Sequence, residues 1–157
     1  MTDVEDHSEY QPPARITRLP SWLAGQVAAI ATRLVADALA VDGLRRQHYV
    51  VLSALVERGA VSQAALGRRL AIDRSDMHTL LGELEQAGLV ERVRDELDNR
   101  RILIELTIVG VRMLKRLDRH VEAAQQALLA PLSASERREL ERLLTRLVEH
   151  HIGQRFV

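Results

Sequence analysis

Between Gln86 and Gly110 the apolar residues change period twice, and this change limits the fold more than any other feature of the chain. Up to Ala87 they recur every three or four residues, as a helix with one covered face requires. "GLVERV" and "RILIELT" alternate apolar with polar, as strands do, and from Val109 the helical spacing returns. The stretch between the two strands, "DELDN" running into Arg100 and Arg101, carries charges of both signs and reads as a hairpin tip. The chain is therefore expected to be mainly α with a small β-hairpin.

The helices before the hairpin have their own punctuation. From Pro20, "SWLAGQVAAIATRLVADALAVDG" sets Leu23, Val27, Ile30, Leu34 and Ala38 at spacings of three and four and closes at Gly43. "LRRQHYVVLSALVERG" puts Leu44, His48, Val51, Leu52 and Leu55 on one face and stops at Gly59. Two more helices follow: "SQAALGRRLA", with Ser62 as N-cap, and "DRSDMHTLLGELEQAG", with Asp73 as cap and Asp76 at capping-box spacing. Almost nothing but Ile72 separates them. Short helix, tight turn, longer helix is the helix-turn-helix pattern. Leu66, Leu70 and Ile72 should then pack on Met77, Leu80, Leu81 and Leu84, leaving Arg74, Ser75, Asp76, His78 and Thr79 to solvent. A hairpin after a helix-turn-helix makes a winged helix, with the charged tip as its wing.

Beyond Thr107 a stripe of Val109, Met113, Leu114, Leu117 and Val121 runs toward Pro131. Ser133 and Glu136 repeat the capping-box spacing and open a last helix bearing Leu140, Leu143, Leu144, Leu147 and Val148. The expected organisation is a flexible acidic tail over 1–14, an N-terminal dimerisation helix over 15–42, a winged helix-turn-helix over 44–106 and C-terminal dimerisation helices over 107–153. The outer stripes exceed what a small module can cover, so a symmetric dimer is expected; a monomeric helical cap is the alternative.

Composition excludes more than it selects. The 157 residues hold no Cys, which removes disulfides, thiolate metal sites and thiol chemistry. Lys+Arg and Asp+Glu are 22 each, so any basic surface must be local. Lys115 is the only lysine, a bias that base composition explains as well as function does. The 6 His show no metal spacing, and no G-x-S-x-G or phosphate-cradling glycine loop is present, so neither enzyme, metal nor cofactor is expected. No run approaches 18 apolar residues, and Asp3, Glu5, Asp6 and Glu9 make the N-terminus acidic, which argues for the cytoplasm and against a membrane.

In a winged helix these charges have work to do. Arg100, at the turn of the ribbon, carries a guanidinium long enough to enter a minor groove while Asp98 holds the loop in shape. Arg101 follows it, and Arg94 is placed for a phosphate. The alternative is a solvated ion-pair network with Asp95, Glu96 and Asp98. In the second helix of the pair, Ser75 and Thr79 suit phosphates or bases, Arg74 and His78 a phosphate or a guanine edge, and Asp76 its own helix end. Leu66 to Arg101 holds seven Arg against eight acids, so positive potential must come from how the charges are sorted. With about 6 to 10 phosphates neutralised per dimer, binding should weaken roughly a thousandfold or more from low to physiological salt.

On "LEQAGLVERV", on the D-x-R-R pattern of Asp98, Arg100 and Arg101, and on "LTIVG" with Thr107 and Gly110, the run from Leu44 to Gly110 resembles the MarR family of bacterial transcription regulators. Its flanking helices resemble that family's dimerisation arms. The resemblance implies a homodimer on a short palindromic DNA operator, expected to repress, and a small aromatic or phenolic effector that releases it. It also implies that Arg100 enters the minor groove. The chain departs from the family in carrying Asp76 and His78 where hydroxyl residues are common and Thr79 near a usual basic residue, which leaves the operator open. The family's ligands sit where arms meet module; there Trp22, Gln26, His48 and Tyr49 combine an apolar body with a polar group. Trp22 also suits an interface anchor, and His48 with Tyr49 a packing pair. A ligand there would change the spacing of the two reading helices, about 34 Å for successive major grooves. The competing function is a winged-helix protein-interaction module without DNA binding, in which Arg100 and Arg101 would have little to do.

Overall fold

The computed structural model describes residues 11–154, so residues 1–10 of the expected acidic tail lie outside the described residues. The elements in order are α1 (Ala14–Thr17), α2 (Pro20–Ala40), α3 (Arg46–Arg58), α4 (Gln63–Leu70), α5 (Arg74–Gln86), β1 (Val90–Arg94), β2 (Ile102–Leu106), α6 (Ile108–Leu128) and α7 (Ala134–Gln154). The fold is mainly helical with one antiparallel hairpin. Pro20 occupies the start of α2, where its missing N–H has no intrahelical partner to lose, and it divides the first arm helix from the short α1.

The predicted faces converge on one core. Val51, Leu52 and Leu55 of α3, Leu66 of α4, Met77, Leu81 and Leu84 of α5, Ile104 of β2 and Leu117 of α6 are fully buried, and Leu39 joins them from the last turn of α2. Just beyond it, Asp42 pairs with Arg116 of α6 at 3.0 Å, tying the end of α2 to the helix along which it lies.

Between α4 and α5 the chain reverses at Ala71, whose φ of 52° puts a residue with a Cβ in the left-handed region. The turn closes with Ile72 N–H donating to the Gly67 carbonyl at 3.0 Å. In the hairpin, Val90 faces Leu106 and Arg92 faces Ile104. Val61 pairs with Ile104 from the outer side, giving and receiving a backbone hydrogen bond at 3.1 and 2.8 Å, so β2 is flanked on both edges.

Thr107 and Gly110 join the wing to α6. Thr107 caps α6 by accepting the Gly110 N–H at 2.9 Å, and its hydroxyl donates to the Gly88 carbonyl at 2.7 Å. A Cβ on Gly110 would stand 1.9 Å from the Leu89 carbonyl oxygen, so only glycine fits. The "GLV" and "LTIVG" segments are thus two halves of one contact.

The arms contrast with this core. Leu23, Val27 and Ile30 of α2, and Leu143, Leu144, Leu147, Val148 and Ile152 of α7, are all exposed. Within α2 an 18-residue window has a mean hydropathy of 1.4, enough by length and composition alone to cross a bilayer. Uninterrupted apolar runs are short in α2, but its many Ala and few charges (Arg33, Asp37) raise the mean.

Candidate nucleic-acid interface

The front of α5 faces outward because Asp73 ends the turn. Its Oδ1 accepts the N–H groups of Ser75 at 2.8 Å and Asp76 at 2.9 Å, fixing the first helical turn. Arg74, Ser75, Asp76, His78 and Thr79 are all exposed, while Met77, Leu80 and Leu81 turn inward. The expected capping role of the Asp76 carboxylate is corrected: Asp73 makes the cap, and Asp76 contributes its backbone N–H. That N–H holds the Asp73 carboxyl below its ordinary pKa, while hydrogen bonding and charge from Asp73 raise that of Asp76.

α4 and α5 together form a concave surface of about 1080 Å³, lined by Gln63, Arg68, Arg74, Ser75 and His78 among others. Ala64, Gly67, Ile72 and Met77 complete its lining, and it opens to solvent. Gln63 and Arg68 are additions that the sequence reading missed. "RR" at 68 and 69 looks like one feature, but Arg69 pairs with Glu57 and donates to the Ala54 carbonyl at 3.1 Å, leaving Arg68 to the groove.

The same sorting runs through the whole module. Of the seven arginines from Leu66 to Arg101, Arg69 is paired with Glu57, Arg92 with Glu85 at 3.1 Å and Arg101 with Asp95 at 3.6 Å. Arg68, Arg74, Arg94 and Arg100 have no ion-pair partner among the described residues. Five of the eight acids are meanwhile engaged, Glu83, Glu85 and Asp95 by cations and Asp73 and Asp98 by backbone N–H groups, while Asp76, Glu91 and Glu96 have no ion-pair partner among the described residues. A neutral composition thus leaves free guanidinium groups on α4, on the front of α5, at the end of β1 and at the wing.

In the wing the acids shape the loop through the backbone. Asp98 accepts the Arg100 N–H on Oδ1 at 3.1 Å and the Arg101 N–H on its carbonyl at 2.8 Å; Asp95 accepts the Leu97 N–H at 2.9 Å. The ion-pair network considered for the wing therefore reaches Arg101 but not Arg100. Leu97, at the tip, is 99% exposed.

The four ligand candidates separate. His48 is 5% exposed, with Nδ1 accepting the Arg45 N–H at 3.2 Å and Nε2 2.6 Å from Glu83 Oε2. The Tyr49 hydroxyl donates to Asp118 of α6 at 2.9 Å; burial first, and then Asp118, raise its pKa. Trp22 and Gln26 lie on α2, half-buried and exposed, with no hydrogen bond from their side chains among the described residues. Glu83 and Arg45, which complete the His48 contact, were not foreseen; a pair 35 residues apart leaves no local pattern.

Comparison with known proteins gives this arrangement a context. Residues 42–101 match the family model described as MarR family. The HTH-type transcriptional repressor Rv2887 of Mycobacterium tuberculosis is 33% identical over 126 residues, covering 80% of this chain and 91% of that protein. The crystal structure of Rv2887 in complex with DNA superposes with a TM-score of 0.71 at 32% identity, covering 82% of this chain and 97% of that one. The PcaV transcriptional regulator of Streptomyces coelicolor, in complex with its natural ligand, superposes with a TM-score of 0.67 at 30% identity, covering 88% and 98%. On these similarities the chain belongs to the MarR family of winged helix-turn-helix transcription regulators.

Proposed function

We propose that the protein binds double-stranded DNA as a homodimer, with residues 73–86 reading the major groove of a palindromic operator and the 94–101 wing placing Arg100 in the minor groove. The observation that carries this is the sorting of charge: Arg68, Arg74, Arg94 and Arg100 have no ion-pair partner among the described residues, while five of the module's eight acids are engaged within it. A wing Arg would have little to do in a pure docking module, whereas a phosphate backbone would attract all four guanidinium groups. The dimer arms are residues 15–42 and 107–153, whose exposed leucines and valines would cover one another, so the apolarity of α2 belongs to a helix interface in a cytoplasmic protein. Repression is supported by the name of the mycobacterial relative.

A small aromatic effector is supported by the neighbour solved with its natural ligand. Trp22 and Gln26 are the better placed contacts, since the polar groups of His48 and Tyr49 are already engaged. The test is an anisotropy titration of wild type and Arg100→Ala against a duplex from the protein's own upstream region and a random duplex, over a salt series. Preference for the upstream duplex and a steep negative salt slope are expected, with Arg100→Ala about tenfold weaker on both duplexes and its slope shallower by about 1. Failure to bind either duplex at low salt, repeated with fragments from across the genome, would replace this reading with a protein-docking module.

A further inference from the structure

His48 is a buried polar residue, 5% exposed, and its bonds tie α3 to the reading helix. Because Nδ1 accepts the Arg45 N–H, the ring's proton sits on Nε2 and is donated to Glu83 Oε2 at 2.6 Å. The Arg45 guanidinium reaches the same oxygen. One carboxylate oxygen of α5 thus receives two donors from the start of α3, and both hold the Glu83 carboxyl below its ordinary pKa.

Besides the Glu85–Arg92 pair to β1 at 3.1 Å near the end of the helix, the rest of the contact between α5 and the core consists of Met77, Leu80, Leu81 and Leu84. Apolar burial is non-directional and tolerates a small roll of the helix, whereas a charge-assisted hydrogen bond to a buried donor is directional and costly to leave unmade. Glu83 lies four residues after Thr79, so the two share a face one turn apart. Any roll of α5 that opens the Glu83 contact also swings Thr79 and the exposed residues before it.

We infer that His48 and Glu83 are positioning residues that fix the roll of α5 and, through it, the protein's discrimination between DNA sequences. This rests on α5 being the DNA reader, and the experiment separates the two claims. Glu83→Ala removes a negative charge and frees Arg45, so phosphate attraction alone predicts tighter binding to every duplex. The positioning role predicts the opposite on the preferred upstream duplex: about tenfold weaker binding, with random duplex bound equally or more tightly. Glu83→Gln keeps an acceptor for His48 Nε2 and should restore the preference. In DNA-free protein, amide hydrogen exchange should quicken along α5 in Glu83→Ala and much less in Glu83→Gln. Unchanged exchange in the alanine variant overturns the inference whatever the DNA result, as does an alanine variant that keeps its preference. Quickened exchange in a protein whose wild type prefers no duplex would uphold the tether and reject DNA reading.

Discussion

Leu81 and Leu147 both lie on the apolar stripe of an amphipathic helix, yet the first is fully buried and the second is 58% exposed. Leu81 sits in a module where α3, α4, α5, β2 and α6 close around one another. Leu147 sits on α7, none of whose leucines is buried. The difference teaches that an amphipathic stripe states that a face is to be covered, and that neighbouring elements decide whether the same chain covers it. In the module the partner is intramolecular; on α7 the face stays exposed in the single chain, and the proposed dimer would cover it.

That contrast can be broken most severely at Gly110. Gly110→Ala places a Cβ against the Leu89 carbonyl, backbone that cannot yield, and should cost about 3 kcal/mol as an overpacked contact; a chemical denaturation midpoint close to that of wild type would show the junction to be softer than its geometry. Leu147→Asp acts on the other side of the comparison. The module should retain its fold by circular dichroism while sedimentation shows the dimer dissociating at least about a hundredfold more readily, about 2.8 kcal/mol. An unaffected dimer would remove α7 from the interface.

Thr107→Val is milder. It removes the cap on the Gly110 N–H and the bond to the Gly88 carbonyl, and thermal melts should record a loss of about 1–2 kcal/mol. Acid should give the smallest effect, and a larger one at the start of α7 than at the start of α5. At α7 the Ser133 hydroxyl and N–H hold Glu136 below its ordinary pKa, so its capping contribution is present above about pH 4.5 and is lost as pH falls through the lowered value. At α5 the lowered Asp73 behaves likewise, but the raised Asp76 gains stability on protonation, and the two oppose each other. Between about pH 5 and 3 amide exchange should quicken at the start of α7 more than at α5; equal quickening would mean that the aspartates do not offset each other.

How much of this was legible in the sequence depends on the range of each interaction. The hairpin, the caps at Ser62, Asp73 and Ser133 and the buried faces from Leu44 to Leu84 are written in spacing, because period and capping are local. Arg68 and Arg69 show where legibility ends. They are identical neighbours whose fates differ because one helical step turns Arg69 toward Glu57. The engagement of His48 was likewise set by a partner that the folded chain brings near, Glu83, whereas the Asp98 carboxylate that accepts the Arg100 N–H lies two residues away and was legible. The break between α1 and α2 was marked by Pro20, although the first arm was read as one helix.

The pairing of Val61 with Ile104 has a bearing on solubility. A two-stranded ribbon offers two open edges, and each is a template on which a stray strand can begin an aggregate. Val61 occupies part of the β2 edge. The β1 edge carries Glu91, Arg92 and Arg94 within five residues, charges that an incoming strand would have to strip of water. A chain that exposes leucines on α7 thus guards the backbone of its wing, and the hairpin offers an incoming strand little open edge to pair with.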